Sequence, residues 1–132
     1  MRLFTSTLIG VMALATLFSA SAGAENFQGV LEDKARPVPV VLNLRADAAP
    51  GTLAGSIRFG GPWACGLDVE LAQVVEQQRL YFLKGAGAGR CAVLTAGYLH
   101  TQRDDDGLAV TLFDRANRAP ALYSIPFTPV SS

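Results

Sequence analysis

The chain has 132 residues, with eleven basic and eleven acidic side chains, one histidine and two cysteines. The charge is balanced and no basic cluster is present, which argues against a nucleic-acid-binding protein and against a protein that docks on an anionic membrane surface. One histidine and two cysteines are too few ligands for a typical zinc site. We therefore predict no nucleic-acid partner, no bound metal and no cofactor.

Residues 1–24 have the pattern of a secretory signal peptide. Arg2 provides the positive start, residues 8–18 form the apolar segment, and small residues up to Ala24 provide the cleavage site. The alternative is a transmembrane anchor, but the apolar segment is shorter than the roughly 20 residues that a membrane span requires. We expect cleavage after Ala24, which leaves residues 25–132 as one exported domain, periplasmic or secreted, without a membrane anchor.

Apolar and polar residues alternate in the first half of this domain. The alternation predicts short strands over residues 27–32, 38–45 and 53–59. Turns rich in charged residues, proline and glycine separate them at residues 33–37 and 47–51. Because Pro39 has no N–H to donate, the second strand should begin at a sheet edge or before pairing starts.

Cys65 opens the clearest alternation of the chain. Leu67, Val69 and Leu71 follow it on one face, and polar or small residues occupy the positions between them. We predict a strand over residues 64–75 with one buried and one solvated face. Part of the same stretch also fits a helical stripe, but the unbroken alternation favours the strand.

A second strand and a glycine-rich turn follow. Residues 79–84 are apolar and aromatic but too few for a helix, and the alternating glycines and alanines of residues 85–89 end this strand. From Cys91 onward, alternate residues again share one face as far as His100. We predict a long third strand over residues 91–100.

The two cysteines are expected to pair. In an up-and-down meander the first and third of these strands start at the same rim, which brings Cys65 and Cys91 together. Paired cysteines are also favoured in an oxidising compartment; the alternatives are two buried thiols or a bridge to another chain. A disulfide would close a loop of about 25 residues and stabilise the fold by roughly 3 kcal/mol in the chain-entropy model.

The last part of the chain continues the meander. Residues 103–107 contain an Asp-Gly pair between two apolar runs, which is typical of a β-hairpin. Strands are expected over residues 108–112 and 119–125, with a turn over residues 114–118. Pro126 and Pro129 argue against a further strand in the tail. The pattern predicts an all-β domain, a single antiparallel meander of about eight strands with one disulfide, closed as a barrel or packed as a sandwich.

Several spaced residues resemble a known family. They are Gly29, a Pro-Val-rich second strand, Gly55-x-Ile57-x-Phe59, Cys65-Gly66-x-Asp68, Tyr81-x-Leu83 and Cys91 before a long strand. In this spacing, most of the domain is similar to the small exported calycin-like β-barrel proteins of bacteria. The resemblance implies a barrel that binds a ligand or acts as an inhibitor, and it assigns no binding residue.

Four features of the sequence could carry chemistry, but each either lacks residues that the site would need or is explained by the fold. His100 could act as a general base, but no Ser-His-Asp or Cys-His set accompanies it. Asp68 and Glu70 could form a carboxylate pair for glycoside hydrolysis, although a solvated strand face explains both. The three aspartates after Arg103 lack the distal Glu of a calcium loop, and residues 85–89 lack the Lys of a phosphate loop. We predict that the protein is not an enzyme.

We predict a non-catalytic exported module that binds a protein partner in the periplasm, such as an immunity protein or a hydrolase inhibitor. The candidate contact residues lie in loops: Trp63, Gly87, Arg103, Asp104 and Asp105. Among them, a tryptophan exposed at the rim would be a natural interface anchor. The alternative is a barrel that binds a small apolar ligand or an envelope component. The aromatic residues available for such a pocket are Phe59, Trp63, Tyr81, Tyr98 and Phe113.

Overall fold

The computed structural model describes residues 23–114 and 122–130. Nearly all of the predicted signal peptide, most of the predicted turn at 114–118 and the start of the predicted last strand lie outside these residues. The described part contains the strands β1 (Ala24–Asp33), β2 (Arg36–Arg45), β3 (Leu53–Phe59), β4 (Cys65–Val75), β5 (Gln78–Lys84), β6 (Tyr98–Arg103), β7 (Leu108–Phe113) and β8 (Tyr123–Pro129). One short helix, α1 (Cys91–Leu94), lies between β5 and β6.

The strands form a closed barrel. Each strand pairs in antiparallel fashion with its neighbour in sequence, and β1 pairs with β8, so the predicted meander is confirmed as a barrel and not as a sandwich. Closure involves three residue pairs: Phe27 with Pro129, Gln28 with Thr128, and Gly29 with Phe127. We call this β1–β8 pairing the seam. It needs glycine at position 29, because a Cβ atom on Gly29 would lie 2.7 Å from the carbonyl oxygen of Pro126.

The inward-facing residues form one hydrophobic core that fills the barrel. In β4, Leu67, Val69 and Leu71 are buried and Asp68 is exposed, which confirms the predicted strand and excludes the helical alternative. Large side chains from most of the strands meet in the interior, as expected for an eight-stranded barrel. The most deeply buried of them include Phe27, Leu42, Ile57, Tyr81, Leu99, Leu112, Ile125 and Phe127.

The long strand predicted over residues 91–100 is wrong. Residues Cys91–Leu94 form one helical turn, and β6 begins only at Tyr98. Cys91 and Leu94 are both buried, and a spacing of three residues fits one face of a helix. Ala96 then has a positive φ of 69°, which breaks the backbone before the strand. The alternation of residues 91–100 in the sequence therefore covers two different elements, the helical turn α1 and the start of β6.

The prediction that prolines exclude a strand in the tail is also wrong, because β8 runs from Tyr123 to Pro129. Its pairing with β1 starts at Phe127. The carbonyl of Pro126 lies on the β1 side, close to Gly29, and the nitrogen of a strand residue faces the same side as its carbonyl. Pro126 thus lies just beyond the β1 ladder, where its missing N–H costs no hydrogen bond.

Candidate functional site

The meander places its connections alternately at two ends of the barrel. The connections after β1, β3 and β5 lie at one end, together with the last residue of β7 and the first of β8, and we call it the disulfide end because it carries Cys65 and Cys91. The connections after β2, β4 and β6 lie at the other end. We call it the arginine end, because Arg45, Arg79 and Arg103 surround the mouth of the barrel there.

The five predicted contact residues do not lie together. Trp63 and Gly87 are at the disulfide end, whereas Arg103, Asp104 and Asp105 are at the arginine end. A partner that contacted both groups would have to span the length of the barrel. The up-and-down count that places the two cysteines at one rim also separates these loops, so this division could have been predicted from the sequence.

Trp63 is buried and therefore is not the exposed rim tryptophan that would form an interface anchor. Its exposed fraction is 8%, and its ring lies 4.9 Å from the ring of Phe59 and 5.5 Å from that of Tyr123 between centroids. The guanidinium of Arg90 lies 5.4 Å from the ring centroid, close enough for a cation–π interaction. Trp63 therefore closes the hydrophobic core at the disulfide end.

Asp33, the last residue of β1, links two loops at this end. Its Oδ2 accepts a hydrogen bond of 3.0 Å from Nε1 of Trp63, and Nη2 of Arg90 donates to both carboxylate oxygens at 3.1 and 3.0 Å. The hydrogen bond from Trp63, and then the hydrogen bond and charge of Arg90, lower the pKa of Asp33, because both stabilise the ionised carboxylate. Asp33 in turn raises the pKa of Arg90. Sequence reasoning missed this link, since its members are far apart in the chain.

The predicted disulfide is present. Cys65 at the start of β4 is bonded to Cys91 at the start of α1, and their Cα atoms are 6.1 Å apart. This bond excludes the alternatives of free thiols and of a bridge to another chain. It anchors α1 to the barrel wall, and the side chain of Leu94 is buried in the core. The connection from β5 to β6 is thus held by a covalent bond and by apolar packing.

A small cleft beside Trp63 has an apolar rim. Its volume is about 170 Å³, and it is lined by Trp63, Arg90, Val93, Leu94, Leu122 and Tyr123. Val93 is 56% exposed and Leu122 is 41% exposed. Apolar side chains next to aromatic and arginine residues are typical of protein–protein contact regions. We refer to Val93, Leu122 and this cleft as the Val93 surface.

A larger groove of about 470 Å³ crosses the outer wall beside the glycine-rich loop. Residues 85–88 form one side of it, and Arg58, Asp68 and Lys84 contribute to its lining. Gly87 has a φ of 60°, and a Cβ atom there would lie 2.8 Å from the carbonyl oxygen of Cys91. The loop therefore packs closely on α1 and needs glycine at this position. The groove combines charges of both signs with exposed backbone.

The three aspartates at the arginine end form the tip of the β6–β7 hairpin. Oδ1 of Asp104 accepts hydrogen bonds from the backbone N–H groups of Asp106 and Gly107, at 2.9 and 2.8 Å, which stabilises the turn. Arg103 forms an ion pair of 2.9 Å with Glu25. Among the described residues, no group of three or more His, Cys, Asp or Glu side chains is arranged to hold a metal ion.

The other polar candidates lie on the outer wall and connect neighbouring strands. Nε2 of His100 lies 3.1 Å from Oε1 of Gln78. Glu70 forms an ion pair of 3.5 Å with Lys84, while Asp68 is exposed on the same strand. These contacts are those of a solvated sheet surface.

The aromatic residues considered for a ligand pocket separate into two groups. Phe59, Trp63 and Tyr81 are buried in the core. Tyr98 and Phe113 are paired in register on neighbouring strands and are partly exposed. The two groups therefore do not line a common pocket.

Comparison with known proteins finds no family model, no curated protein and no solved structure that matches this chain. In the part of the chain that the structure describes, no helix has the length and apolar character needed to cross a bilayer. The roles of the two barrel ends are therefore inferred from their own contacts, exposure and charge.

Proposed function

We propose that the protein is an exported, non-catalytic module that binds a protein partner through the disulfide end. One observation carries this proposal: two loops there are linked through Asp33, and the same end presents exposed apolar side chains. Asp33 holds the loops of Trp63 and Arg90, while Val93 is 56% exposed. A surface that is rigid before binding loses little conformational entropy on binding, which increases affinity.

The size of the cleft in the Val93 surface supports a protein partner. Its volume of about 170 Å³ is below the roughly 300–1,000 Å³ of typical small-molecule sites. The partner that fits is a protein that inserts one large apolar side chain beside Trp63 and covers Val93 and Leu122. An immunity protein or a hydrolase inhibitor would act in this way, by covering a functional surface of an exported toxin or enzyme.

Export is supported by two features of the chain. Residues 1–24 have the signal-peptide pattern, and disulfides such as Cys65–Cys91 persist mainly in oxidising compartments. We therefore propose a periplasmic or secreted location. The resemblance to calycin-like exported barrels stays a prediction, and it is compatible with an inhibitor.

The second candidate function is binding of a small molecule or an envelope component. The barrel interior is filled by the hydrophobic core, which argues against a ligand carried inside. The outer groove beside residues 85–88 has a volume of about 470 Å³, within the range of small-molecule sites. A ligand bound there would leave the Val93 surface free.

The test is gentle capture of the tagged full chain from the exported fraction of its own host, followed by native mass spectrometry under non-reducing conditions. Three forms are compared: the natural chain, Val93→Asp at the disulfide end and Val41→Asp on the outer wall. Val41 is a matched control, because it is 46% exposed on β2, and β2 contributes no residue to the lining of the cleft in the Val93 surface. The mass also reports cleavage after Ala24.

We expect a stoichiometric protein partner with the natural chain and with Val41→Asp, and its loss with Val93→Asp. The isolated partner should then rebind the purified natural protein and not the Val93→Asp variant. A partner retained equally by all three forms would reject the Val93 surface. A bound small mass in place of a protein would move the function to the second candidate, and recovery of uncleaved protein in the cytosol would reject export.

A further inference from the structure

The mouth of the barrel at the arginine end is lined by more positive than negative side chains. Its lining comprises Glu25, Leu44, Arg45, Glu76, Gln77, Arg79, Tyr81, Thr101, Arg103 and Leu108. Three arginines thus face two glutamates. Glu25 is already paired with Arg103 at 2.9 Å, and the same guanidinium lies 5.7 Å from the ring centroid of Phe27.

With Arg103 paired to Glu25, the other two arginines, Arg45 and Arg79, share the mouth with one glutamate, Glu76, so one positive charge is in excess. Within the described residues, neither Arg45 nor Arg79 forms an ion pair with a carboxylate. Arg79 is half-buried on the strand that also carries Tyr81. Burial raises the pKa of Tyr81, and a hydrogen bond from Arg79 together with its charge opposes that shift. Arg79 therefore lies beside Tyr81 in the lining of the mouth.

Thr101 is the second independent observation. Thr101 is 2% exposed and is the one buried polar residue among the residues that the structure describes. It also lines the mouth. No group in the described residues forms a hydrogen bond with its hydroxyl. A buried hydroxyl without a partner costs about 1–3 kcal/mol, so a polar group bound in the mouth would offset this cost at Thr101.

We propose that the mouth at the arginine end binds one small oxyanion, a phosphate or a carboxylate group, between Arg45 and Arg79, with the Thr101 hydroxyl as a buried donor. Guanidinium groups match the geometry of both oxyanions and bind them through paired hydrogen bonds. The mouth has a volume of about 60 Å³. At roughly 10–15 Å³ for each water-sized group, this space holds a single oxyanion. The rest of a larger ligand would have to remain outside the mouth, in solvent.

This site is separate from the proposed function. The mouth and the Val93 surface lie at opposite ends of the barrel, so a partner and an anion could be bound at the same time. Loss of partner binding in Val93→Asp would leave anion binding intact, and the reverse holds for changes at Arg79. Failure of one proposal is therefore distinguishable from failure of the other.

The experiment is titration of the purified, oxidised protein with inorganic phosphate and, separately, with acetate, at constant ionic strength set with sodium chloride. Binding is followed by NMR at the Thr101 amide and at the Arg79 side chain. We expect saturable shifts at both positions with at least one of the two anions. The anion that saturates at the lower concentration distinguishes a phosphate group from a carboxylate group as the natural occupant.

Three variants complete the test. Arg79→Gln should weaken binding by about tenfold or more, as expected from loss of a charge-assisted hydrogen bond. Arg58→Gln is the matched control, because Arg58 is exposed on the outer wall, and it should bind like the natural protein. Thr101→Val keeps the shape of the side chain and should weaken binding severalfold, while the protein without anion becomes no less stable.

Two results would overturn the proposal. The first is the absence of saturable shifts at Thr101 and Arg79 with both anions. The second is an equal loss of affinity in Arg58→Gln and Arg79→Gln, which would indicate general attraction to a positive surface. If Arg79→Gln fails to fold, Thr101→Val decides, since unchanged affinity in that variant would exclude the buried hydroxyl from the site.

Discussion

The indole Nε1 of Trp63 donates a hydrogen bond of 3.0 Å to Oδ2 of Asp33, which joins two residues 30 positions apart in the chain. The same carboxylate binds Arg90, 57 positions further along than Asp33. A single aspartate thereby connects the β1–β2 turn, the β3–β4 loop and the start of α1. The rigidity of the disulfide end depends on this carboxylate as well as on the disulfide.

Replacement of Asp33 by asparagine should change how stability depends on pH. The pKa of Asp33 is lowered in the folded protein from a reference value of 3.8. Its ionised form therefore stabilises the fold at pH values above 3.8, and this contribution is lost as the pH falls through the folded-state pKa. The natural protein should exceed Asp33→Asn in stability near neutral pH, and the difference should shrink in acid.

Urea denaturation at a series of pH values measures this difference. The matched control is Asp68→Asn, because Asp68 is an exposed carboxylate on the outer wall. That variant should keep the acid sensitivity of the natural protein. A constant difference between Asp33→Asn and the natural protein from neutral pH to pH 3 would contradict the assigned role of the Asp33 carboxylate.

Trp63 should be a major contributor to stability. Trp63→Ala removes a buried ring that contacts Phe59 and Tyr123 and should cost about 3 kcal/mol or more in the free energy of unfolding. Trp63→Phe keeps an aromatic ring but loses the bond to Asp33, which should cost about 2 kcal/mol. Unfolding should be followed by circular dichroism, because Trp63 is the only tryptophan of the chain and both variants therefore lack tryptophan fluorescence. A cost below about 1 kcal/mol for Trp63→Ala would show that the ring is not part of the core.

Removal of the disulfide should destabilise the protein and loosen α1. The bonded cysteines are 26 positions apart, and the chain-entropy model gives roughly 3 kcal/mol for a loop of that length. The double variant Cys65→Ser with Cys91→Ser should show this loss in denaturant unfolding. It should also be cleaved faster by protease within residues 85–97 than the oxidised protein. Equal cleavage rates would mean that packing of Leu94 alone holds the loop.

The closure seam should be sensitive to a single added methyl group. Gly29→Ala would place a Cβ atom 2.7 Å from the carbonyl oxygen of Pro126, so the strands β1 and β8 would have to separate. We expect a loss of about 1–3 kcal/mol, the usual cost of overpacking. Gly61→Ala is the control, because no atom lies within 4 Å of the added Cβ. The two variants should differ clearly in thermal unfolding; equal midpoints would argue against a tight seam.

Much of the architecture could be predicted from the period-two pattern. Alternation identified β4, with Leu67, Val69 and Leu71 inward, and the Asp-Gly pair before Leu108 identified the β6–β7 hairpin. These features are local, since a strand buried on one face has alternating apolar and polar residues within its own sequence. The segment after Cys91 shows the limit, because a single helical turn followed by a strand can present the same alternation as one long strand.

The sites were harder to predict because they depend on contacts between distant residues. Trp63 lies in the β3–β4 loop close to Cys65, and its burial depends on contacts with Phe59, Tyr123 and Arg90. The arginine mouth was missed for the same reason. A signal for it did exist, because Arg79 has the same strand parity as Tyr81, and Thr101 the same as Leu99, which places all four on inward-facing positions.

The seam between β1 and β8 sets the order in which the barrel can assemble. Every other ladder joins strands adjacent in sequence, whereas the seam joins residues 27–29 to residues 127–129. Loop closure over such a distance is entropically the most costly pairing, so the hairpins should form first and the ends of the sheet should meet last. With three residue pairs, this seam is also the part of the described barrel that should open first in native-state hydrogen exchange.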